Sequence, residues 1–241
     1  MRGRVDMDSV QLQRTYLDLT TPHVADACMR LGIPVRCAPA NTRPLWNNTH
    51  LSGRVNPVRH FGSVDVFLEA IDRAVPGDVL VVDNGGRLDE ACIGDLITLE
   101  ASRAGLSGIV IWGLHRDTDE LRTIRLPVFS LGSLPAGPQR LDPVDPLALS
   151  SAAFGQYVVT ADDFVLGDDN GVLFVPLDQA QAVAKLATSI RDTERHQAAR
   201  MQLGTTFRKQ ARFDEYLAAR RSDAGVTFRE HLRSIGGAIE E

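Results

Sequence analysis

Short apolar runs and amphipathic stretches alternate along this chain. "DVLVVD" (78–83), "GIVIW" (108–112) and "PVFSLG" (127–132) are continuous apolar runs bounded by turn residues. Such runs are the pattern of strands buried on both faces. Between the first two, Ile97, Ala101 and Ala104 fall on one helical stripe that opens at Asp95 and stops at Gly105. "RDTDELRTI" (116–124) predicts a short helix with acids in its first turn. Upstream, "LSGRVNPVRH" (51–60) reads as a strand and "SVDVFLEAIDRA" (63–74) as a helix closed by Pro76-Gly77. The resulting β-α-β-α-β order predicts a partly parallel sheet covered by helices.

Residues 8–32 predict two short helices; the second has Thr20 or Thr21 as cap, Pro22 in its first turn and Gly32 as its stop. "PVRCAPANTRPLWNNT" and "NGGRLDEACI" carry no period and read as connector and glycine-containing loop. After residue 132 a long connector, "SLPAGPQRLDPVDP", leads into "GQYVVTADDFVLGDDNGVLFVP", read as antiparallel strands with Asp-Asp-Asn-Gly at a turn. From Leu177 to about Arg221 the text is nearly all helical, and "TFREHLRSIGGAIEE" closes it. The expected division is an α/β domain over 1–176 and a helical C-terminal extension over 177–241, its apolar face covered by a neighbouring subunit.

At 241 residues the chain is long enough for one sizeable core, and its 44% hydrophobic and 24% charged residues are ordinary for a soluble protein. A formal net charge of −5 argues against nucleic-acid and anionic-membrane partners. No signal-peptide core or bilayer-spanning run occurs, so a cytoplasmic location is expected. Cys28, Cys37 and Cys92 lack paired-ligand spacing and read as reduced thiols. Only two lysines, Lys185 and Lys209, stand among 26 basic residues, and both lie in the helical tail. The α/β part therefore has neither a Schiff-base lysine nor a P-loop lysine.

Candidate chemistry gathers where strands end. In α/β sheets ligands sit beyond the carboxyl ends of strands, where helix N-termini also point. Asp83 closes one strand before Gly85-Gly86, and "GLHRD" (113–117) follows another. Gly94-Asp95-Leu96 opens the helix between them. Each residue has a plain alternative: Asp95 as a cap, Asp117 as a helix-start acid, Arg116 as a surface ion pair, Asp83 as a turn former, and His60 and His115 as satisfied polar groups. The residues by themselves support an anion and metal site and no more.

"PGDVLVVDNGGRLDEACIGDLITLEASRAGLSGIVIWGLHRDTDEL…LPVFSLG" resembles the family of 4-hydroxy-4-methyl-2-oxoglutarate/4-carboxy-4-hydroxy-2-oxoadipate aldolases and RraA-type regulators of ribonuclease E. Its signature is Gly-Asp-Leu, then Asp and Arg-Asp across twenty intervening residues, matched here at Asp95, Arg116 and Asp117. "TTPHVADAC" and "DDNGVLFVP" extend the resemblance over roughly residues 18–205. It implies a swivelling β/β/α-type sandwich assembled as a homotrimer or homohexamer. It further implies a lyase dependent on Mg²⁺ or Mn²⁺ that releases pyruvate from a 4-hydroxy-2-oxo acid, with oxaloacetate decarboxylase side activity. In that reading Asp117 holds the metal largely through water, Arg116 stabilises the developing oxyanion, and amides around Gly94, Asp95 and Leu96 hold the substrate carboxylate. Asp95 moves the proton through a water. His115, where relatives often carry a small apolar residue, suggests a different non-pyruvyl substrate end, and Glu194 is the match to a glutamate that reaches the metal waters of an adjacent subunit. The alternative implied is a non-catalytic regulator binding ribonuclease E, against which the retained Asp117 counts. A methyltransferase reading fails because "DNGGRLD" lacks the G-x-G-x-x-G spacing.

Overall fold

A computed structural model describes residues 9–236, with side chains from residue 13 onward. The chain opens with α1 (Ser9–Tyr16) and α2 (Thr21–Arg30), then two two-residue strands, β1 (Arg36–Cys37) and β2 (Arg43–Pro44). The expected βαβ series follows as β3 (Leu51–Arg59), α3 (Asp65–Asp72), β4 (Val79–Asp83), β5 (Ala91–Ile93), α4 (Asp95–Arg103), β6 (Gly108–Trp112), β7 (Leu114–His115), α5 (Thr118–Ile124) and β8 (Val128–Ser130). The antiparallel part is β9 (Ser151–Phe154), β10 (Tyr157–Thr160), β11 (Asp163–Asp168) and β12 (Gly171–Pro176). Four helices close the described chain: α6 (Ala180–Gln202), α7 (Phe207–Gln210), α8 (Phe213–Ser222) and α9 (Phe228–Ser234). Among the described residues no helix is long and apolar enough to cross a membrane.

Eight strands form one sheet in the order β1-β12-β11-β3-β4-β6-β8-β2. β3, β4, β6 and β8 run parallel, and the outer strands are antiparallel. The sheet has to curl. Residues 38–42 alone join its two edge strands. That length reaches at most about 22 Å, whereas eight flat strands spread over about 34 Å. Across the curl, the Phe129 ring of β8 comes so close to Gly167 of β11 that a Cβ there would meet it at 3.0 Å.

Strand alternation then sorts the core into layers. Val79, Val81, Val110 and Phe129 face the inside of the curl and pack with Phe154 and Val159 of the β9–β10 hairpin. Leu80, Val82, Ile109 and Ile111 face outward against Phe67, Ile71, Ala101 and Leu121 of α3, α4 and α5. The result is a β/β/α arrangement, as the resemblance implied. A third cluster covers β11 and β12: Phe164, Leu166, Leu173 and Val175 pack with Tyr16, Val24, Ala27, Val183 and Ala187. The first half of α6 therefore belongs to this core, and the Tyr16 hydroxyl donates to the Ala180 carbonyl at 2.6 Å. The α2 start is capped at Thr20, and Gly32 takes the left-handed conformation (φ 68°) after its end.

Candidate active site at the ends of a two-stranded ladder

The decisive element is one that periodicity does not reveal. β5 and β7 form a separate parallel pair with Ala91 opposite Leu114 and Ile93 opposite His115. Each strand leads directly into candidate residues: β5 into Gly94-Asp95, β7 into Arg116-Asp117. Parallel neighbours end on the same side. Residues twenty positions apart in sequence thus emerge next to each other, and the Arg116 amide continues the ladder by donating to the Ile93 carbonyl at 2.9 Å. "ACI" and "LH" are too short to show any period, so this region read as loop.

Asp95, Arg116 and Asp117 do converge. Arg116 Nε lies 3.3 Å from Asp117 Oδ2, and the Asp95 backbone N–H donates to the same oxygen at 3.3 Å. The Asp95 carboxylate accepts from the Leu96 amide at 2.7 Å, but the cap of α4 is Gly94, so Asp95 is a helix-start acid and not the cap of its plain reading. Two carboxylates thus occupy the first amides of α4, where a helix end presents N–H groups and a favourable field to anions. Gly94 leaves room at this junction for the Asp117 and Arg116 side chains to lie where they do. A Cβ there would stand 2.3 Å from Asp117 Oδ2 and 3.2 Å from Arg116 Nε. Asp117 itself sits in the left-handed region (φ 57°, ψ 44°), which a side chain other than glycine adopts only where its surroundings hold it.

Asp95 and Arg116 line a cavity of about 620 Å³. Its walls are largely apolar, with Val64 and Leu68 from α3 and Leu96 and Leu99 from α4. Pro138, from the long connector, completes the lining. The connector is tied down beside it: the Ala91 amide donates to the Ala136 carbonyl at 2.8 Å, and the buried Glu90 carboxylate accepts from Arg140 Nη2 at 2.9 Å. At Gly137 a Cβ would stand 3.0 Å from Arg116 Nη1. This wall has no advance signal beyond the Gly-Pro pair in a segment that reads as a plain connector. The Arg116 and Asp117 side chains remain about half and one-third exposed (48% and 33%). Among the described residues no group of three or more His, Cys, Asp and Glu side chains is placed to hold a metal ion. A single carboxylate such as Asp117 fits only an ion that keeps most of its water, as Mg²⁺ does.

The other sequence candidates lie elsewhere. His115 faces away from this cavity into a second one of about 260 Å³, among Ser130, Thr118 and Arg122. Its Nδ1 is 2.8 Å from Ser130 Oγ and its Nε2 3.2 Å from Thr118 Oγ1. Burial, with a smaller push from Arg122, holds its pKa below the usual histidine value. It does not border the space in which Arg116 lies. Glu194, on α6, meets His23 Nε2 of α2 at 3.3 Å and is not part of the cavity lining in this chain. His60 stacks on Phe67 and contacts Asn84 Oδ1 at 2.8 Å. Asp83 accepts from the Gly85 and Ala153 amides, the strand-end turn role.

Comparison with known proteins agrees with the geometry. The RraA-like family model (Aldolase/RraA) matches residues 21–174. A protein of Alcanivorax borkumensis named "Putative 4-hydroxy-4-methyl-2-oxoglutarate aldolase" is 38% identical over 124 residues, covering 52% of this chain and 76% of that protein. Protein DlpA of Legionella pneumophila is 33% identical over 148 residues, 60% of this chain but only 23% of the longer relative. Among solved structures, Streptomyces coelicolor RraAS2, described as an unusual member of the RNase ES inhibitor RraA family, superposes with a TM-score of 0.69. It covers 80% of this chain and all of its own at 24% identity, which is a likeness of fold. With the Asp95, Arg116-Asp117 constellation assembled on the fold that these relatives share, the chain belongs to the RraA-like (Aldolase/RraA) family.

Proposed function

We propose that this protein is a divalent-metal-dependent lyase that cleaves a 4-hydroxy-2-oxo acid or diacid into pyruvate and a second carbonyl compound. The observation that carries this reading is the junction of Asp95, Arg116 and Asp117 beside one cavity, built on an arginine and two carboxylates without a lysine. Asp117 would hold Mg²⁺ or Mn²⁺ with water completing the shell. Bound there, such an ion supplies Lewis-acid charge toward the 2-oxo acid end of the substrate.

The remaining work falls to the chain itself. The Arg116 guanidinium favours a carboxylate at the cavity floor, while the Asp95 and Leu96 amides expected to hold it already bond the Asp117 and Asp95 carboxylates. As the C–C bond breaks, its electron pair moves onto the former keto oxygen, and Arg116 is placed to donate to that oxygen as charge develops. The Asp95 carboxylate takes the substrate hydroxyl proton through a water and returns one to the new carbanion centre. Loss of CO₂ from oxaloacetate produces the same charge on the same atom, so decarboxylase side activity belongs to this reading. The apolar walls leave the far end of the substrate in contact with Leu68 and Leu99. Val64, Leu68, Leu96 and Leu99 are 54%, 47%, 74% and 39% exposed beside the cavity. Their exposure supports a second copy that closes the site, in the homotrimer or homohexamer that the family resemblance implies.

The family also contains regulators of ribonuclease E, and a fold likeness at 24% identity does not choose between the two. The deciding experiment incubates the purified protein with Mn²⁺ and a panel of 4-hydroxy-2-oxo acids and oxaloacetate. Pyruvate release is expected; no release from any of them, together with inhibition of ribonuclease E, would establish the regulator instead.

A further inference from the structure

His115 stands next to Arg116 but borders a different cavity, and its position suggests a task. We infer that its imidazole is a brace that fixes the turn bearing Arg116 and Asp117, making it a positioning residue. This rests on the reading that Arg116 and Asp117 face the substrate.

The hydrogen bonds around the ring define its direction. The Gly132 amide donates to Ser130 Oγ at 3.2 Å, and the same oxygen lies 3.2 Å from the Gly132 carbonyl. The contact of Ser130 Oγ with His115 Nδ1, at 2.8 Å, is shorter than either of its contacts with Gly132, so ring and hydroxyl are bonded whichever of them donates. Nε2 lies 3.2 Å from the Thr118 hydroxyl. Both ring nitrogens are thus engaged.

The brace spans residues 115 to 118, and the two residues it encloses are Arg116 and Asp117. One end is fastened to β8 through Ser130, and the His115 amide adds a bond to the Gly132 carbonyl at 3.0 Å. The other end is the first residue of α5. Between them Asp117 holds its left-handed backbone, and the ring adds to the ties that the backbone already makes there, Arg116 N–H to the Ile93 carbonyl at 2.9 Å and Leu121 N–H to the Asp117 carbonyl at 3.0 Å. The ring lies 3% exposed behind the turn. It can set the direction of Arg116 and Asp117 without touching anything in their cavity.

Thr118→Val removes the far bond without altering the histidine, and His115→Asn retains a donor near Ser130 while losing the reach to Thr118. The expected result for each is a fall in kcat of about tenfold or more with a smaller change in KM, because misplacement by a fraction of an ångström acts on the reacting geometry. The double variant should be no worse than the poorer single one, since both remove the same bond. Hydrogen exchange gives a second readout independent of turnover. Amides of 116–118 should exchange about tenfold faster in Thr118→Val, with β4 and α6 unchanged. If the wild type releases no pyruvate, the lyase reading fails while exchange still tests the brace. Wild-type exchange at 116–118 in both single variants, or full kcat in both where the wild type is active, overturns the inference.

Discussion

Arg116 is the residue on which the proposed chemistry places its heaviest demand. A guanidinium offers several donors in a fixed plane, and here Nε is engaged by Asp117 while Nη1 lies against Gly137. Lysine would offer a single ammonium that reaches neither position in the same way. Arg116→Lys is therefore expected to lose about 100-fold or more in kcat, with the fold intact, in a steady-state pyruvate assay. A variant with wild-type kcat would remove the arginine from the mechanism. The three charged residues were legible as types in the sequence, but whether each was functional or merely a cap or surface charge was not. Asp95 turns out to be both a helix-start acceptor and a cavity residue, which spacing alone could not distinguish. His115 illustrates the opposite limit. Its presence suggested a different non-pyruvyl substrate end, but consecutive residues leaving a strand point to opposite sides, and the ring lies in a different cavity.

At the scale of elements, the site is the meeting of two strand ends and one helix start. Long elements such as β4, β6, α4 and α6 were readable because their apolar periods run over enough residues to be seen. The β5–β7 ladder was not, because two or three residues define no period and tertiary pairing alone makes them strands. The β9–β10 hairpin that closes the inside of the curl was seen only from Tyr157 onward, since Ser151–Phe154 follows a Pro- and Leu-rich connector without alternation. The strand-to-helix junction yields its own prediction. Gly94 has an extended backbone (φ −132°) that any residue can adopt, so Gly94→Ala strains nothing locally. Its Cβ would still force Asp117 and Arg116 from their places. Thermal melting within a few degrees of wild type, combined with loss of most turnover, is the expected outcome; full activity would show that the two side chains need not lie against α4.

For the molecule as a whole, two expectations follow. The first concerns pH. Burial holds the pKa of His60 below its ordinary value, against an opposing hydrogen bond that the ring donates to Asn84 Oδ1, with nearby Arg140 lowering it and Glu90 and Asp142 raising it. His115 is likewise held down by burial. A histidine depressed in the folded state binds its proton more readily when unfolded. Stability is thus full above the unfolded value of about 6.5 and declines as pH falls below it. Melting temperature should drop from pH 7 to pH 5, and His60→Gln should flatten that slope; an unchanged slope would contradict the assignment to His60. The second concerns assembly. The apolar rim of the cavity, exposed in one chain, predicts self-association, with three or six copies being the number that the family resemblance implies; sedimentation as a stable monomer at micromolar concentration would leave the rim unexplained. The α/β plan and the helical tail were visible in the sequence because layer order follows from the alternation of elements. The curl was not, because it follows from which edge strands the short 38–42 segment joins.

The most direct test of the metal-dependent lyase is pyruvate release by wild type and Asp117→Ala before EDTA treatment, after it, and after Mn²⁺ is restored. The account predicts turnover by the wild type that EDTA abolishes and Mn²⁺ recovers, and none by Asp117→Ala at any stage. Turnover that survives EDTA, or a variant as active as wild type, would contradict it.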